Sequence, residues 1–496
     1  MQPIVEVRPG GSVRGRRSDH GNVFLGIPYA APPLGPRRLR PPQPVESWNG
    51  VRDALTWGAK PPQLPYPPPW DGLIRELDSS GEDCLVLNVW APEPGARGLP
   101  VMVWITGGQF ENGTAAVEGY DGSRFARDGV VLVSINYRVG AEGFAYLDGG
   151  TPNLGLLDQI AALEWVRDNI AAFGGDAGNV TVFGESAGGM SIGTLLAMPR
   201  AEGLFRRAVV QSGGGHYVLP APVARRAARR FAAELGVEPT RDALAAVPVE
   251  RLLEVQGKLR AELMADPGVQ RWGQDVGAGG ILWAPVVDGD VVPVRPIDAV
   301  AAGAGGGVDL LAGANTDEYN FFAVPTGAVD LIPPELPAAM AAAYGLPVEE
   351  TLAAYRAERP GATPGELFAA IQGDWLFRIR TQHLADAHAT GPAATYLYEF
   401  AWPSPAFDGR LGACHGMEVP FVFDTLPADT DPLTGPAPPQ HLADVMHAAW
   451  VAFATTGDSG WPRYELERRA TMRFDLTPAV VDDPRAAVRS VWDAVR

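Results

Sequence analysis

The chain has 496 residues, 46% of them hydrophobic, and a formal net charge of −18 at pH 7. The excess of acidic residues excludes proteins that bind nucleic acid or anionic membranes through a basic surface. A chain of this length and hydrophobic content can bury a large core. Because the sequence contains no run of about 18 apolar residues, we expect no membrane span.

The sequence contains two cysteines, Cys84 and Cys414. A secreted chain of this size often carries several disulfides, so this usage favours a reducing compartment. Residues 1–15 lack the apolar segment of a signal peptide, and we expect none. We therefore predict a cytoplasmic protein, while the sequence leaves open whether the two cysteines pair.

Apolar runs and helical patterns alternate along the chain. The predicted strands are residues 100–106, 130–137, 180–184, 309–315 and 394–402, whose continuous apolar character is typical of strands covered on both faces. Residues 155–173 repeat apolar side chains at steps of three and four, which predicts a helix. Strands alternating with helices indicate an α/β protein with crossover connections.

Three other segments have a structural interpretation. The proline-rich segment 61–70 predicts a stiff surface loop or the rim of a pocket. Residues 223–235 form a helical pattern with four arginines, which we interpret as a solvated helix face rather than an anion site. Residues 302–309 are rich in glycine but lack the Gly-Lys-Ser/Thr ending of a phosphate-binding loop, so they predict a turn.

A G-x-S-x-G motif, GESAG at residues 184–188, lies between a predicted strand and a helical pattern at 186–198. Glycines two residues before and after Ser186 allow a sharp turn that exposes the hydroxyl at the carboxyl edge of the sheet. The amino terminus of the helix favours developing negative charge there. We therefore predict that Ser186 is a nucleophile; the alternative is a serine that only caps the helix.

A nucleophilic serine requires a base, and the base requires an acid to orient it. Chains with this motif place the acid and then the histidine after the serine, and His415, in a loop that contains glycines, fits that order. Asp317 and Glu318 both follow the predicted strand 309–315. The residue pattern alone does not decide between these two carboxylates.

An oxyanion formed during acyl transfer requires backbone N–H donors. Residues 104–113 leave a predicted strand and turn through Gly107 and Gly108, where the main chain can approach a ligand closely. The amide of Ala187, directly after Ser186, is a further candidate donor. The alternative is an ordinary glycine turn.

These segments together resemble the type-B carboxylesterase family, which includes bacterial para-nitrobenzyl esterases and the cholinesterases. The resemblance covers nearly the whole chain, is closest to bacterial members, and is carried by residues 24–39, 82–90, 155–189, 460–464 and 471–475. It implies an α/β-hydrolase fold, in which a central, mostly parallel sheet is flanked by helices and carries large loop and helical insertions. We expect residues 1–496 to form one such domain.

The resemblance also implies a role for each site residue. It assigns Ser186 as nucleophile, His415 as base, and Glu318 rather than Asp317 as acid. The other assignments are the backbone amides of Gly108, Gln109 and Ala187 as oxyanion donors, Gly107 as a supporting part of that turn, Glu185 as a buried supporting carboxylate, and Ser212 as a hydroxyl near the acid and base.

The oxyanion turn departs from the family pattern. Family members usually carry H-G-G-G or H-G-G-A at this place, whereas this chain has Thr106-Gly107-Gly108-Gln109. A backbone amide survives the replacement by glutamine, but a threonine is expected to brace the turn less than an imidazole. We expect a reduced activity or a changed substrate preference.

The implied activity is that of a serine carboxylesterase that uses no metal or organic cofactor. Its expected substrates are small to medium uncharged carboxylic esters, including aryl esters, cleaved through an acyl-enzyme. Candidate pocket residues are Phe110, Phe321, Phe322 and Phe421, for each of which core packing is an equal alternative.

We expect a monomer or small homo-oligomer whose partner is a small-molecule ester, with no nucleic-acid or membrane partner. Three alternative functions remain: an amidase, thioesterase or polyester hydrolase with the same machinery; a binding protein without activity, since one fold serves several functions; and an interfacial lipase, against which the lack of a long apolar lid helix argues.

Overall fold

The fold is organised around one large sheet. A computed structural model describes residues 2–79, 81–92, 95–266, 268–272, 276, 280–427, 431–493 and 495. Within these residues the largest sheet has 11 strands. In spatial order they are Ala479–Asp482, Ala470–Phe474, Thr395–Phe400, Asp309–Asn315, Arg207–Gln211, Gly175–Glu185, Leu99–Ile105, Val131–Ile135, Val86–Ala91, Gly21–Pro28 and Arg16–Ser18.

The strands from Ala470–Phe474 to Val131–Ile135 run parallel, and the pairs at both edges are antiparallel. This arrangement confirms the predicted, mostly parallel sheet, and all five predicted strands belong to it. Smaller sheets pair Ile4–Glu6, Ser12–Arg14 and Val51–Asp53, and Leu219–Pro220 with Val286–Val287.

Helices surround the sheet. Those in the described residues are Trp70–Leu73, Ser123–Arg127, Gly140–Phe144, Leu154–Asn169, Ala187–Leu195, Ala221–Leu235, Arg241–Ala245, Val249–Ala265, Val269–Trp272, Pro296–Ala301, Asn320–Ala323, Leu336–Ala343, Val348–Glu358, Pro364–Gly373, Ile379–His388, Val419–Phe423, Gln440–Thr456 and Ala486–Trp492. A π-helical turn, Asp374–Arg378, connects two of them. The predicted helix 155–173 is present as Leu154–Asn169 followed by a 3₁₀ turn at Ile170–Phe173.

Both faces of the central strands are buried. Along the strand Leu99–Ile105, Val101 and Val103 belong to one hydrophobic cluster, whereas Met102 and Trp104 belong to another on the opposite face. Successive side chains of a strand point to opposite faces, so a continuous apolar run requires cover on both sides. The helix Leu154–Asn169 covers one face and Gln440–Thr456 the other, which explains why the sequence reads as unbroken apolar runs.

The other segments agree in part with their interpretation. In the helix Ala221–Leu235, Arg226 and Arg229 are exposed as expected. Arg225 instead lies 4.0 Å above the ring of Tyr146, and Arg230 lies over another aromatic ring, so half of the arginine face is packed. The glycine-rich segment 302–309 is a turn that leads into a strand.

The structure also bears on the cysteines and on a possible membrane span. Cys84 and Cys414 are free thiols, and both are buried. No helix in the part of the chain that the structure describes is long and apolar enough to cross a membrane.

The parallel strands bring distant segments to one edge. The strand registers align Ile105 with Gly184, and Gln211 with both Glu185 and Gly313. The carboxyl ends of these strands therefore meet, and the loops that follow them share one side of the sheet. Most of the candidate site residues lie in or after these strand ends. His415 lies in a loop after the next strand, Thr395–Phe400, and Phe421 in the helix that follows this loop.

Candidate active site

Ser186 lies in a strained turn between the strand Gly175–Glu185 and the helix Ala187–Leu195. Its φ of 56° and ψ of −125° lie outside the regions that non-glycine residues usually occupy. The turn is tight because a Cβ at Gly188 would lie 2.0 Å from the carbonyl oxygen of Ile105. The amide of Ser186 donates to the carbonyl of Gln211 at 3.0 Å, which fixes the turn to the neighbouring strand.

The imidazole of His415 is held by a carboxylate. Its Nδ1 lies 2.6 Å from Oε2 of Glu318. The other oxygen of Glu318 accepts hydrogen bonds from the hydroxyl of Ser212 at 2.6 Å and the amide of Asn315 at 2.8 Å. Asp317, the other candidate acid, instead accepts from Arg359 at 2.7 Å. Of the two carboxylates left open by the residue pattern, only Glu318 contacts the imidazole.

The second ring nitrogen of His415 faces Glu185. Nε2 lies 3.1 Å from Oε1 of Glu185, the residue before the serine. Within the described residues the Ser186 hydroxyl makes no hydrogen bond. The imidazole thus reaches the residue before the serine but is not joined to the serine hydroxyl. Catalytic hydrogen bonds are often long or misaligned before a substrate binds and tighten in the complex.

Three buried carboxylates surround the imidazole. Burial raises the pKa of Glu185 to about 8, and Glu318 and Glu418 add to this effect against the opposing attraction of His415. Burial also disfavours the charged imidazole, but Glu185 and Glu318 outweigh it and raise the pKa of His415 to about 9. The carboxylates therefore stabilise the protonated form of the imidazole.

Glu418 is a site residue that the sequence interpretation missed. Its side chain is fully buried and accepts hydrogen bonds from Gln211 at 3.0 Å and Asn315 at 2.7 Å. The same Asn315 side chain donates to the carbonyl of Cys414 at 2.7 Å, so the amide connects this carboxylate to the loop that carries His415. The signal in the sequence was a glutamate directly before the apolar run VPFVF.

The turn after the strand Leu99–Ile105 lies against the serine. A Cβ at Gly107 would lie 3.0 Å from the Cβ of Ser186, which shows how closely the two turns approach. Gly108 has a φ of 117°, where a Cβ would lie 2.3 Å from the carbonyl oxygen of Asn112. In the part of the chain that the structure describes, the amides of Gly108, Gln109 and Ala187 donate no hydrogen bond. They remain available as donors to a ligand.

Two residues of this turn that are not glycines adopt left-handed backbone conformations. Gln109 has a φ of 57° and Phe110 a φ of 59°. Each costs roughly 1–2 kcal/mol relative to the right-handed region. The surrounding contacts must therefore hold the turn in place.

Several of these contacts come from the proline-rich segment 61–70. The side chain of Gln63 accepts from the amide of Gly113 at 2.8 Å and donates to its carbonyl at 3.1 Å. The side chain of Asn112 donates to the carbonyl of Leu64 at 2.6 Å. The segment therefore supports the turn. Thr106, at the start of the turn, is buried, and its carbonyl accepts from the hydroxyl of Tyr137 at 2.8 Å.

The candidate pocket aromatics divide into two groups. The side chains of Phe110 and Phe421 are fully buried; Phe110 packs against Phe144 and Phe421 against Phe400 and Trp402. The structure therefore places both in the core, because their burial leaves no face for a ligand.

Phe321 and Phe322 instead lie beside the imidazole, with ring centroids 6.3 and 5.5 Å from that of His415. Phe377, on the π-helical turn, lies closer, at 4.1 Å, and stacks on Phe322 at 6.2 Å. The sequence interpretation missed Phe377, because nothing in the local pattern separates it from a core aromatic.

The described residues contain no group of three or more His, Cys, Asp or Glu side chains arranged to hold a metal ion. What the site offers is a strained serine, an imidazole held by a carboxylate, and three unused amide donors. Together these groups are suited to acyl transfer.

Comparison with known proteins also indicates acyl-transfer chemistry. The sequence profile of the carboxylesterase family matches residues 1–492. The para-nitrobenzyl esterase of Bacillus subtilis (strain 168) is 37% identical over 97% of this chain and 96% of its own length. The phenmedipham hydrolase of Pseudarthrobacter oxydans is 34% identical over 93% of each chain.

A solved structure extends the similarity to three dimensions. The crystal structure of carboxylesterase EST55 of Geobacillus stearothermophilus at pH 6.2 superimposes with a TM-score of 0.85 at 36% identity over 99% of both chains. The α/β-hydrolase fold expected from the sequence is thereby confirmed. The family match spans nearly the whole chain, and this protein belongs to the carboxylesterase family.

Proposed function

We propose that this carboxylic ester hydrolase cleaves its substrates through an acyl-enzyme, with Ser186, His415 and Glu318 as the catalytic triad. The observation that carries the proposal is the 2.6 Å contact between His415 and Glu318 at the sheet edge where the strained Ser186 turn lies. A carboxylate in this place holds the imidazole in one tautomer and stabilises its protonated form.

In the first step the hydroxyl of Ser186 attacks the ester carbonyl while His415 takes its proton. The hydroxyl oxygen of Ser186 loses its proton to the imidazole and bonds to the carbonyl carbon. The carbonyl oxygen thereby becomes an oxyanion. The amides of Gly108, Gln109 and Ala187 bind that oxyanion. The oxyanion then re-forms the carbonyl and the C–O bond to the leaving group breaks. The imidazolium donates its proton to that oxygen, so the alcohol departs and the acyl group stays on the serine.

In the second step water replaces the alcohol. His415 takes a proton from the water, which attacks the acyl carbonyl and forms a second oxyanion in the same place. Collapse of this intermediate returns the proton to the oxygen of Ser186 and releases the carboxylic acid. The side chain of Glu318 stabilises the imidazolium in both steps through Nδ1, whereas Nε2 turns from Glu185 to exchange protons with the serine and the water.

We propose small to medium uncharged esters, including aryl esters, as substrates. Phe322 and Phe377 lie beside His415, with Phe321 slightly further away, and present apolar surface where the ester must bind. A relative whose name specifies a para-nitrobenzyl ester supports an aromatic group on the substrate. We further propose that residues 1–496 act as one catalytic domain.

An organophosphonate test checks the nucleophile and the reaction together. The wild-type protein is expected to hydrolyse p-nitrophenyl acetate and to gain the mass of one phosphonyl group on the peptide containing Ser186. The Ser186→Ala variant should neither hydrolyse the ester nor gain mass. A wild-type protein that stays unlabelled and inactive would contradict the proposal, as would labelling at another serine with activity retained in Ser186→Ala.

A further inference from the structure

Gln109 lies in the oxyanion turn, at a position where family members usually have a small residue. Its side chain contacts a helix that is distant in sequence. Oε1 of Gln109 accepts a hydrogen bond from Nη2 of Arg260 at 3.2 Å. Arg260 lies on the helix Val249–Ala265, 151 residues further along the chain. The glutamine is therefore held by a specific partner outside the turn.

Arg260 contacts two more residues of the same turn. Its Nη1 lies 3.5 Å from Oδ1 of Asn112 and 3.6 Å from Oε2 of Glu111. The carboxylate of Glu111 is 5% exposed, and burial raises its pKa. A buried carboxylate without a cation beside it would be unfavourable, so the guanidinium stabilises the turn by charge as well as by geometry.

The helix that carries Arg260 is itself fixed above the turn. Gln256, one helical turn earlier and on the same face, accepts from the amide of Ala141 at 3.0 Å. A Cβ at Gly257 would lie 2.7 Å from a methyl group of Leu64, in the proline-rich segment that also supports the turn. The guanidinium is therefore presented from a firmly packed surface.

We propose that Arg260 is a positioning residue that holds the amides of Gly108 and Gln109 in place for the oxyanion. The inference rests on the proposed function. Arg260 binds the side chains of residues 109, 111 and 112 and does not itself touch the reacting atoms. It offsets the strain of the left-handed residues at 109 and 110, which would otherwise relax the turn and displace its donors.

The expected effect follows from the geometry that oxyanion binding requires. Donors must lie about 2.7–3.1 Å from the oxyanion, and a displacement of about 1 Å can cost about 100-fold in rate. The Arg260→Ala variant is expected to lower kcat between about 10-fold and 100-fold. KM is expected to change less than about twofold, because the donors bind the transition state more strongly than the ground state.

The experiment measures kcat and KM for p-nitrophenyl acetate in four proteins. These are the wild type, Arg260→Ala, Arg260→Lys and the control Arg251→Ala. Arg251 lies on the same helix, and among the residues that the structure describes its guanidinium pairs only with Glu254 at the surface. Its loss should therefore leave kcat and KM unchanged. Arg260→Lys keeps the charge but not the planar fork and should give an intermediate kcat.

A trifluoromethyl ketone gives a readout that a general loss of packing would not change. The serine oxygen adds to the ketone carbon, its proton passes to the imidazole, and the ketone oxygen becomes an oxyanion held by the turn. The inhibition constant is expected to rise in Arg260→Ala by about the same factor as kcat/KM falls. A double-mutant cycle with Gln109→Ala should give less than the product of the two single losses.

Three results would overturn the inference: a wild-type kcat in folded Arg260→Ala, a change confined to KM, or independent effects of the substitutions at 109 and 260. If Arg260→Ala does not fold, the Arg260→Lys and Gln109→Ala variants decide by the same criteria. An active wild type with unchanged variants contradicts only the role of Arg260. An inactive, unlabelled wild type contradicts this role and the proposed function together.

Discussion

The acid–base half of the site and the oxyanion turn are held in place in different ways. His415, Glu318 and Ser212 are joined by two hydrogen bonds of 2.6 Å between buried side chains. The oxyanion turn instead is supported by side chains from two other segments, Gln63 in the proline-rich segment and Arg260 on the helix Val249–Ala265. We therefore expect substitutions in the first half to remove most of the activity, and substitutions around the second to lower it in steps.

The largest loss is expected at the nucleophile and base. Ser186→Ala and His415→Ala should each lower kcat by at least about 10⁴-fold, and the double variant should lose no more than either single one, because the two residues act as a unit. Steady-state kinetics with an aryl ester measures this. Losses that multiply in the double variant would show that the two side chains act separately.

A nearly equal loss is expected at the acid. Glu318→Gln keeps the shape of the side chain but favours the wrong imidazole tautomer, so kcat should fall by about 10³-fold to 10⁴-fold. The neighbouring Asp317→Asn is the matched control, because Asp317 pairs with Arg359 rather than with the imidazole. Its kcat should stay close to that of the wild type; the reverse ranking would make Asp317 the acid.

A smaller loss is expected in the support of the turn. Gln63→Ala removes both hydrogen bonds to Gly113 and should lower kcat about tenfold with little change in KM. The control is Gln43→Ala. Gln43 is in the same part of the chain, but within the described ranges its side chain bonds only to the carbonyls of Pro41 and Pro42 at the surface. A lower melting temperature with an unchanged kcat would show that Gln63 stabilises the fold but does not position the oxyanion turn.

The smallest effect concerns pH. The base accepts a proton only when neutral, so kcat/KM should rise with pH toward the pKa of about 9 that Glu185 and Glu318 impose on His415 against its burial. Glu185→Gln removes one of these charges and lowers the pKa of the imidazole. The acidic limb of the profile should therefore move to lower pH. An unmoved limb would show that Glu185 does not act on the base.

Much of the fold could be predicted because its signals are local. Strands covered on both faces give apolar runs, and the glycines around Ser186 mark a turn in which a Cβ has no room. Phe377 and Arg260 could not be found in this way. Their contacts join segments far apart in the chain. The residues next to Phe377 or Arg260 in the sequence do not indicate which distant residue each side chain contacts.

The most direct test of the central claim is a crystal structure of the protein with a phosphonate bound to Ser186. We expect Nε2 of His415 to have turned from Glu185 to within about 2.6–3.2 Å of an oxygen on the phosphorus or of the serine Oγ. The phosphoryl oxygen should accept from the amides of Gly108, Gln109 and Ala187. An imidazole still bound to Glu185, or a phosphoryl oxygen directed away from these amides, would contradict the proposed triad and oxyanion site.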